Sequence, residues 1–418
     1  MNYPILLPNI FNYPFTYHSD LKLRPGDYVV VPFGKSQITG VVWDQFEKQN
    51  NKDFKIKNIV KKLHVTPLKR TTMKFLNWFS EYNIIPKGMA LKLVLLSSNA
   101  IEENIKNNFK VFESNIKNNS IKLSEDQKKS LKEMISPNNK FRVHVLQGTT
   151  GSGKTFVYFE ALKSIIKKGF QGLILLPEIG LVGQFKQKFE EYFGFNPAVW
   201  HSGMSKKKKE IIWNGISNGN IQVIIGARSS LFLPFKKLGI IIVDEEHDQS
   251  FKQDEGLTYN ARDMAIARAS FENIPINLVT AVPSIETYEN IKKGKYSISR
   301  LNQRYKNADL PNYEIINLNN SKVEKQSWLS NETIHKVNLH LEKKDQVLFF
   351  LNRRGFSPHV LCNKCYTSFS CPNCSINLVY HKNKDNLLCH YCGYKSLLKR
   401  DCSKYGNCEF IFSGPGVE

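Results

Sequence analysis

The spacing of apolar positions changes along the chain. Asp27-Tyr28-Val29-Val30-Val31 is a β-rich run, the turn Pro32-Phe33-Gly34-Lys35 breaks it, and Ile38-Thr39-Gly40-Val41-Val42-Trp43 follows as a second strand. Residues 1–65 therefore read as a small N-terminal β module. Between 66 and 100 the positions Met73, Leu76, Trp78, Phe79 and Tyr82 recur near a 3.6-residue period, which predicts helix. Residues 101–122 are polar and rich in Asn and Lys, and read as linker. From 123 to 300, short apolar runs at 143–146, 173–176, 223–225 and 240–243 alternate with amphipathic stretches. That is the rhythm of βαβ units, and it predicts an α/β fold with a mostly parallel, doubly wound sheet. A second α/β unit is expected over 301–418, with a strand at 347–351 and a cysteine-rich insert at 362–408.

Composition narrows the class. The chain has 418 residues, of which 41% are hydrophobic and 12% aromatic, enough apolar mass for several cores and too much for a wholly disordered chain. No apolar run approaches the roughly 18 residues that a membrane helix needs. The start, MNYPILLPNIF, lacks a basic n-region and carries two prolines, so it does not read as a signal peptide. A soluble, cytoplasmic protein is expected. The 59 Lys and Arg against 37 Asp and Glu give a net charge of +22. That balance suits a polyanion, nucleic acid first and an anionic membrane surface second. Lys and Asn crowd every linker, so the charge locates no site; the run at 206–209 reads as a solvated helix face.

The eight cysteines change the picture more. All lie between Cys362 and Cys408, paired as Cys362-x2-Cys365, Cys371-x2-Cys374, Cys389-x2-Cys392 and Cys402-x5-Cys408. A C-x2-C turn aims two thiolates at one metal, and two such turns complete a tetrahedral site, so eight ligands predict two zinc ions. A disulfide framework needs an oxidising compartment that nothing in the chain implies. The insert has little apolar content of its own, and metal binding is expected to supply most of its folding free energy, on the order of 10 kcal/mol per zinc.

Gly148-Thr149-Thr150-Gly151-Ser152-Gly153-Lys154-Thr155 matches G-x4-G-K-[ST] and lies between a predicted strand and a predicted helix, the setting of a P-loop. Its glycines let backbone N–H groups turn inward around phosphate, and the helix N-terminus adds partial positive charge. Lys154 reaches the β- and γ-phosphates and Thr155 ligates Mg²⁺. Ninety residues on, the buried-strand run 240–243 ends in Asp244-Glu245-Glu246-His247. There Asp244 is expected to hold the metal, usually through water, and Glu245 to polarise the attacking water. Gln127, just upstream of the P-loop, is a candidate to read adenine. These features together predict an NTPase.

The P-loop and the DEEH box resemble superfamily 2 helicases. Further matches are Leu176-Pro177-Glu178-Ile179-Gly180-Leu181, Trp200-His201-Ser202-Gly203, Ile225-Gly226-Ala227-Arg228-Ser229-Ser230-Leu231-Phe232, Asn352-Arg353-Arg354-Gly355 and the eight cysteines. With these the chain resembles the primosomal protein N′ (PriA) family of replication restart helicases over nearly its whole length. The resemblance implies a RecA-like P-loop helicase lobe followed by a partial second lobe that carries the zinc insert. It implies an ATP-dependent 3′→5′ DNA helicase that recognises stalled forks and initiates primosome assembly with PriB, DnaT and DnaC-type partners and single-strand binding protein. The cofactors so implied are ATP, Mg²⁺ and two Zn²⁺ per chain. The 3′-end pocket of its N-terminal module falls on Phe11, Asn12, Tyr13, Gly34 and Lys57. Arg228 and Ser229 fall at DNA-backbone contacts, and Phe251 and Tyr259 on an aromatic-rich loop that couples single-stranded DNA to ATP hydrolysis. The zinc sets so implied are Cys362, Cys365, Cys402, Cys408 and Cys371, Cys374, Cys389, Cys392.

The sequence departs from the family pattern at named places. Asn12 stands where Asp is usual, Leu257 where the loop carries Trp, and Thr280-Ala281-Val282-Pro283 for Ser-Ala-Thr-Pro. Five residues rather than two separate Cys402 from Cys408, so either that loop bulges or His381 or His390 completes the site. A winged-helix domain is not expected in residues 101–122. The sequence ends at Gly414-Pro415-Gly416-Val417-Glu418, before the family's trans-cleft arginines, and the expectation is a fragment or a truncated gene. A second reading follows, a fork-DNA-binding module with little or no ATPase. A zinc-ribbon RNA-processing NTPase leaves the N-terminal module unexplained.

Overall fold

Six strands build the N-terminal module of this computed structural model: β1 (Asn2–Leu6), β2 (Phe15–His18), β3 (Tyr28–Phe33), β4 (Ser36–Val42), β5 (Lys57–Asn58) and β6 (Lys61–Lys62), in the sheet order β5-β2-β1-β4-β3-β6. The described residues are 1–45, 56–95, 122–135, 140–177, 182–254, 256–304, 312–317, 329–350, 359–374, 376–382, 385–397, 401–402, 406–407 and 409–413. Both faces of β3 are covered, which explains its unbroken apolar run. Val29 and Val31 join Ile5, Leu7 and Val42 in one cluster, while Tyr28 and Val30 join a larger one on the other side.

That larger cluster also takes the buried face of α1 (Arg70–Tyr82), namely Met73, Phe75, Leu76 and Phe79. Each such side chain contributes about 1.5–3 kcal/mol when fully buried. A short helix, α2 (Lys87–Lys92), follows.

After α3 (Glu125–Met134), seven parallel strands form the central sheet: β7 (Arg142–Gly148), β8 (Gln171–Leu175), β9 (Ala198–Trp200), β10 (Val223–Gly226), β11 (Leu238–Asp244), then β14 (Pro275–Thr280) and β15 (Ser297–Leu301). Their spatial order is β15-β7-β14-β11-β8-β10-β9. A two-stranded ribbon of β12 (Lys252–Gln253) and β13 (Tyr259–Asn260) lies between β11 and β14 in sequence. The connecting helices are α4 (Lys154–Lys167), α5 (Val182–Phe193), α6 (Lys206–Asn218), α7 (Ala261–Glu272) and α8 (Ile285–Lys292). Side chains alternate across the sheet. Val143, Val145, Ile241 and Val243 face one cluster, and Leu146, Ile240 and Ile242 face the other. Residues 1–309 form one compact unit and 310–418 a second.

In the second unit, α9 (Asn331–Glu342) starts at Ser330, whose side chain accepts from the Thr333 N–H. Strands β16 (His359–Cys362) and β22 (Phe410–Ser413) pair antiparallel; β17 (Val379–His381), β18 (Asn386–Leu388) and β19 (Lys395–Leu397) form a small sheet; β20 (Asp401–Cys402) and β21 (Gly406–Asn407) form a hairpin. The strand expected at 347–351 is not formed over 347–350, where Leu348, Phe349 and Phe350 are exposed. A strand must pair its N–H and C=O groups, and no described strand lies beside this run; Leu351 is outside the described residues. Residues 101–121, where no winged helix was expected, also lie outside them. No helix among the described residues is long and apolar enough to cross a membrane.

Candidate functional site

The P-loop leaves the C-terminal end of β7 and enters α4. Gly151 and Gly153 both sit in the left-handed region, at φ 84° and 81°. A Cβ at Gly153 would be strained by that φ and would also come within 2.6 Å of Gln127 Nε2, displacing the Gln127 amide. Lys154 is buried and folds over its own loop, Nζ donating to the Gly148 carbonyl at 2.8 Å.

Gln127 braces the loop from outside. Its backbone N–H donates to Ser124 Oγ, its Oε1 accepts from the Ser124 N–H, and this capping box starts α3. Its Nε2 donates to the Ser152 carbonyl at 3.0 Å. Both ends of the amide are thus engaged within the protein, in bracing the P-loop and capping α3. From another side Arg304, which no sequence motif pointed to, donates Nε–H to the Thr150 carbonyl at 2.9 Å and lies over Gly151.

Asp244 ends β11, with β14 lying between it and β7, so the carboxylate and the P-loop share the C-terminal edge of one parallel sheet. Ligands of such sheets bind at that edge. Asp244 Oδ2 accepts from the Tyr158 hydroxyl at 2.9 Å and Oδ1 from the Glu245 N–H at 3.1 Å. Burial pushes its carboxyl up to about 6, against the pull of the Tyr158 hydrogen bond and of Lys154. Its two hydrogen bonds come from neutral donors, which leaves the carboxylate its charge, and the donor set Asp244 with Thr155 fits Mg²⁺.

The next three residues diverge. Glu245 adopts φ 49°, rare for a residue with a side chain, and its carboxylate stays half-exposed. Glu246 is enclosed: Arg262 Nη1 lies 3.3 Å from Oε2, Thr287 Oγ1 donates at 2.9 Å, and the Ser284 N–H donates to Oε1 at 2.8 Å. His247 Nδ1 is 2.8 Å from Thr280 Oγ1 at the end of β14. The DEEH box is therefore tied to the segment 280–287 by two side chains.

Of the DNA candidates, Arg228 opens the 3₁₀ turn Arg228–Phe232 at the end of β10, with Ser229 beside it, and its Nη1 donates to the Lys252 carbonyl at 2.7 Å. Phe251 and Tyr259 require a correction. They are 1% and 4% exposed, and Tyr259 packs edge-on against Phe79 and Phe232, so neither ring presents a face to a base. Tyr259 is covered by Phe79 of α1, and Phe251 lies in the same buried cluster. In the N-terminal module Phe11 sits in a half-buried ring cluster with Tyr13, Phe15 and Phe33. Gly34 is exposed in the β3–β4 turn, and Lys57 is exposed on β5, opposite Tyr17 of β2. Asn12 Oδ1 accepts from the Lys87 N–H at 3.1 Å, so this side chain anchors α2.

In the second unit, the sulfur atoms of Cys371, Cys374, Cys389 and Cys392 all lie within 4.8 Å of one another, with close approaches of 3.4 and 3.3 Å. A tetrahedral Zn–S₄ site sets sulfurs about 3.8 Å apart, so the donor set fits zinc. The backbone N–H groups of Cys392 and Tyr391 hold the Cys389 thiol down to about 6, while burial and its bond to Cys389 push its neighbour Cys374 up to about 12, as a cluster of thiols sharing protons requires. Cys362 is buried beside Cys365 and Phe410. His381 and His390 face each other, Nε2 to Nε2 at 3.0 Å. The Cys402 side chain and Cys408 lie outside the described residues, as do residues 178–181 and 352–355.

Comparison with known proteins gives three family matches: a 3′DNA-binding domain (3′BD) over residues 4–96, a DEAD/DEAH box helicase over 124–291, and the PriA DNA helicase Cys-rich region over 371–396. The chain is 42% identical to the replication restart protein PriA of Rickettsia conorii, over 99% of this chain and 63% of that protein. It is 40% identical to that of Haemophilus influenzae over 66% of this chain and 38% of the relative. The chain thus spans less than two thirds of the length of these relatives. Among solved structures, RecG bound to a three-way DNA junction is 26% identical over 44% of this chain and 24% of that one, with a TM-score of 0.33.

Proposed function

We propose that this chain, which belongs to the PriA family of replication restart proteins, serves as an ATP-dependent 3′→5′ DNA helicase acting at stalled forks in the cytoplasm. The observation that carries this reading is the placement of the P-loop and Asp244 on one edge of a parallel sheet, in a unit that also holds the 3′ DNA-binding module.

Each residue then has a task. Backbone N–H groups of residues 149–154 and the N-terminus of α4 cradle the phosphates, and Lys154 exchanges its bond to Gly148 for one to phosphate. Thr155 and Asp244 hold Mg²⁺, which when bound neutralises charge that develops on the phosphates. Glu245 orients the attacking water; its half-exposed carboxylate lies 3.7 Å from His247 Nδ1 and keeps access to solvent. The His247–Thr280 and Glu246–Ser284 bonds pass a change at the phosphates to the segment 280–287. Arg228 and Ser229 take the DNA backbone, and Phe11, Gly34 and Lys57 the 3′ end.

Two zinc ions complete the second unit in this reading. Cys371, Cys374, Cys389 and Cys392 hold one, and Cys362, Cys365, Cys402 and Cys408 the other. The β16–β22 register sets Cys362 opposite Phe410, two residues beyond Cys408, and the β20–β21 hairpin bends the chain back between Cys402 and Cys408, which supports the second set. Primosome proteins and single-strand binding protein are the partners so proposed.

Fork binding measured against salt tests the DNA reading. Log affinity should fall with log[salt] at about −0.9 per phosphate neutralised, and steeply if several Lys and Arg take part. An affinity flat with salt contradicts it.

A further inference from the structure

Tyr158 lies one turn beyond Thr155 on α4, on the same face of the helix. Its side chain is fully buried. A buried phenol must place its hydroxyl, and this one, carried on the P-loop helix, reaches the other half of the nucleotide site: it donates to Asp244 Oδ2 at 2.9 Å. The ring has its own packing, edge-on to Phe159 at 5.3 Å and stacked on Phe185 at 6.4 Å. Phenylalanine would fill the same space, so packing alone does not call for the oxygen.

The kind of donor matters. An Arg or Lys beside Asp244 would orient the carboxylate but also cancel its charge, and a cation would then gain little there. A neutral hydroxyl fixes the orientation and leaves the negative charge in place. With the Glu245 N–H on Oδ1, both oxygens of Asp244 are held by uncharged donors.

We propose that Tyr158 is a positioning residue for the divalent cation, its hydroxyl tying the P-loop helix to Asp244 so that the carboxylate is set before metal and nucleotide arrive. This inference rests on the nucleotide-site reading above. Groups that orient metal ligands in this way are worth about 10–100-fold in metal affinity. Tyr158 touches no substrate and acts through Asp244.

The test is Tyr158→Phe in the full chain, with circular dichroism to confirm the fold. A fluorescent ADP analogue reports nucleotide binding, first in EDTA and then across a Mg²⁺ titration; Mn²⁺ bound in the presence of ADP is counted by electron paramagnetic resonance. The expected result is a metal half-saturation raised at least about tenfold, with nucleotide affinity in EDTA unchanged. Phe159→Leu, which perturbs packing next door without touching a hydroxyl, should leave the metal half-saturation where it was. Equal half-saturation for wild type and Tyr158→Phe overturns the proposal, and so does an equal rise in Phe159→Leu. In an Asp244→Asn background Tyr158→Phe should add no further loss, and a full additional loss also overturns it. A wild-type chain that fails to bind the analogue at all overturns the nucleotide-site reading itself, a result distinct from normal binding with unaltered metal dependence.

Discussion

Four consecutive side chains at the end of β11 go to four environments. Asp244 points to the P-loop helix, Glu245 is turned outward by a positive φ, Glu246 is enclosed by Arg262, Ser284 and Thr287, and His247 reaches Thr280. Sequence spacing suggested duties for Asp244 and Glu245, because a carboxylate after a buried strand has a physical use. It gave no signal for Glu246, whose partners lie 16 to 41 residues away and meet only through the sheet. Tyr158 was within reach of sequence reasoning, being a polar aromatic one turn after Thr155. Arg304 was not, since its approach to Thr150 depends on where β15 ends. His144 offers a test at this scale. It is buried on β7, Nδ1 2.9 Å from Ser297 Oγ, and burial holds its imidazole down to about 3. From pH 6.5 downward the unfolded chain takes up a proton that the folded chain refuses, so stability present above pH 6.5 is lost as pH falls toward 3. Asp244 works in the opposite sense, its raised pKa letting the folded state take a proton first. The readout is therefore a difference: between pH 6.5 and 5 the wild type should lose about 2 kcal/mol more than His144→Asn in urea unfolding. Equal losses contradict the assignment.

At the scale of elements, strands buried on both faces were the most legible. The runs at 143–146, 173–176, 223–225 and 240–243 all lie in β7, β8, β10 and β11 or abut them, because a continuous apolar stretch between helices has few other places to go. The periodic face of α1 was equally plain. Phe251 and Tyr259 were misplaced because aromatic residues serve stacking and packing alike, and the α1 ring that meets Tyr259, Phe79, comes from 180 residues earlier. The run at 347–350 shows that strand propensity does not suffice without a neighbour. In the cysteine-rich region, short strands and small apolar clusters surround the sulfurs, so metal should hold the fold there. Released zinc should amount to two ions per chain, falling to one in Cys371→Ser. Chelation should expose 359–413 to protease while 140–304 stay protected. A chain that holds no zinc, or a region indifferent to chelation, contradicts this.

The larger cluster in the first unit joins the N-terminal sheet, α1 and the central sheet in one continuous core. Trp213 Nε1 donates to the Val94 carbonyl at 2.8 Å, Lys69 and Thr72 bond to Glu272, and buried Arg268 donates to the Leu231 and Leu233 carbonyls. This joint was not visible in the sequence, where residues 66–122 looked like a helical segment and linker between separate modules. With the N-terminal module fixed to the P-loop lobe in this way, the proposed function makes nucleotide turnover the property to examine. The most direct measurement is ATP hydrolysis by the 418-residue chain with and without forked duplex, beside Lys154→Ala. Fork-stimulated hydrolysis that the substitution lowers by about 10²-fold or more is predicted, since the role proposed for Lys154 is to stabilise charge that develops on the transferred phosphate. Tight fork binding with a hydrolysis rate no different from that of Lys154→Ala would contradict it.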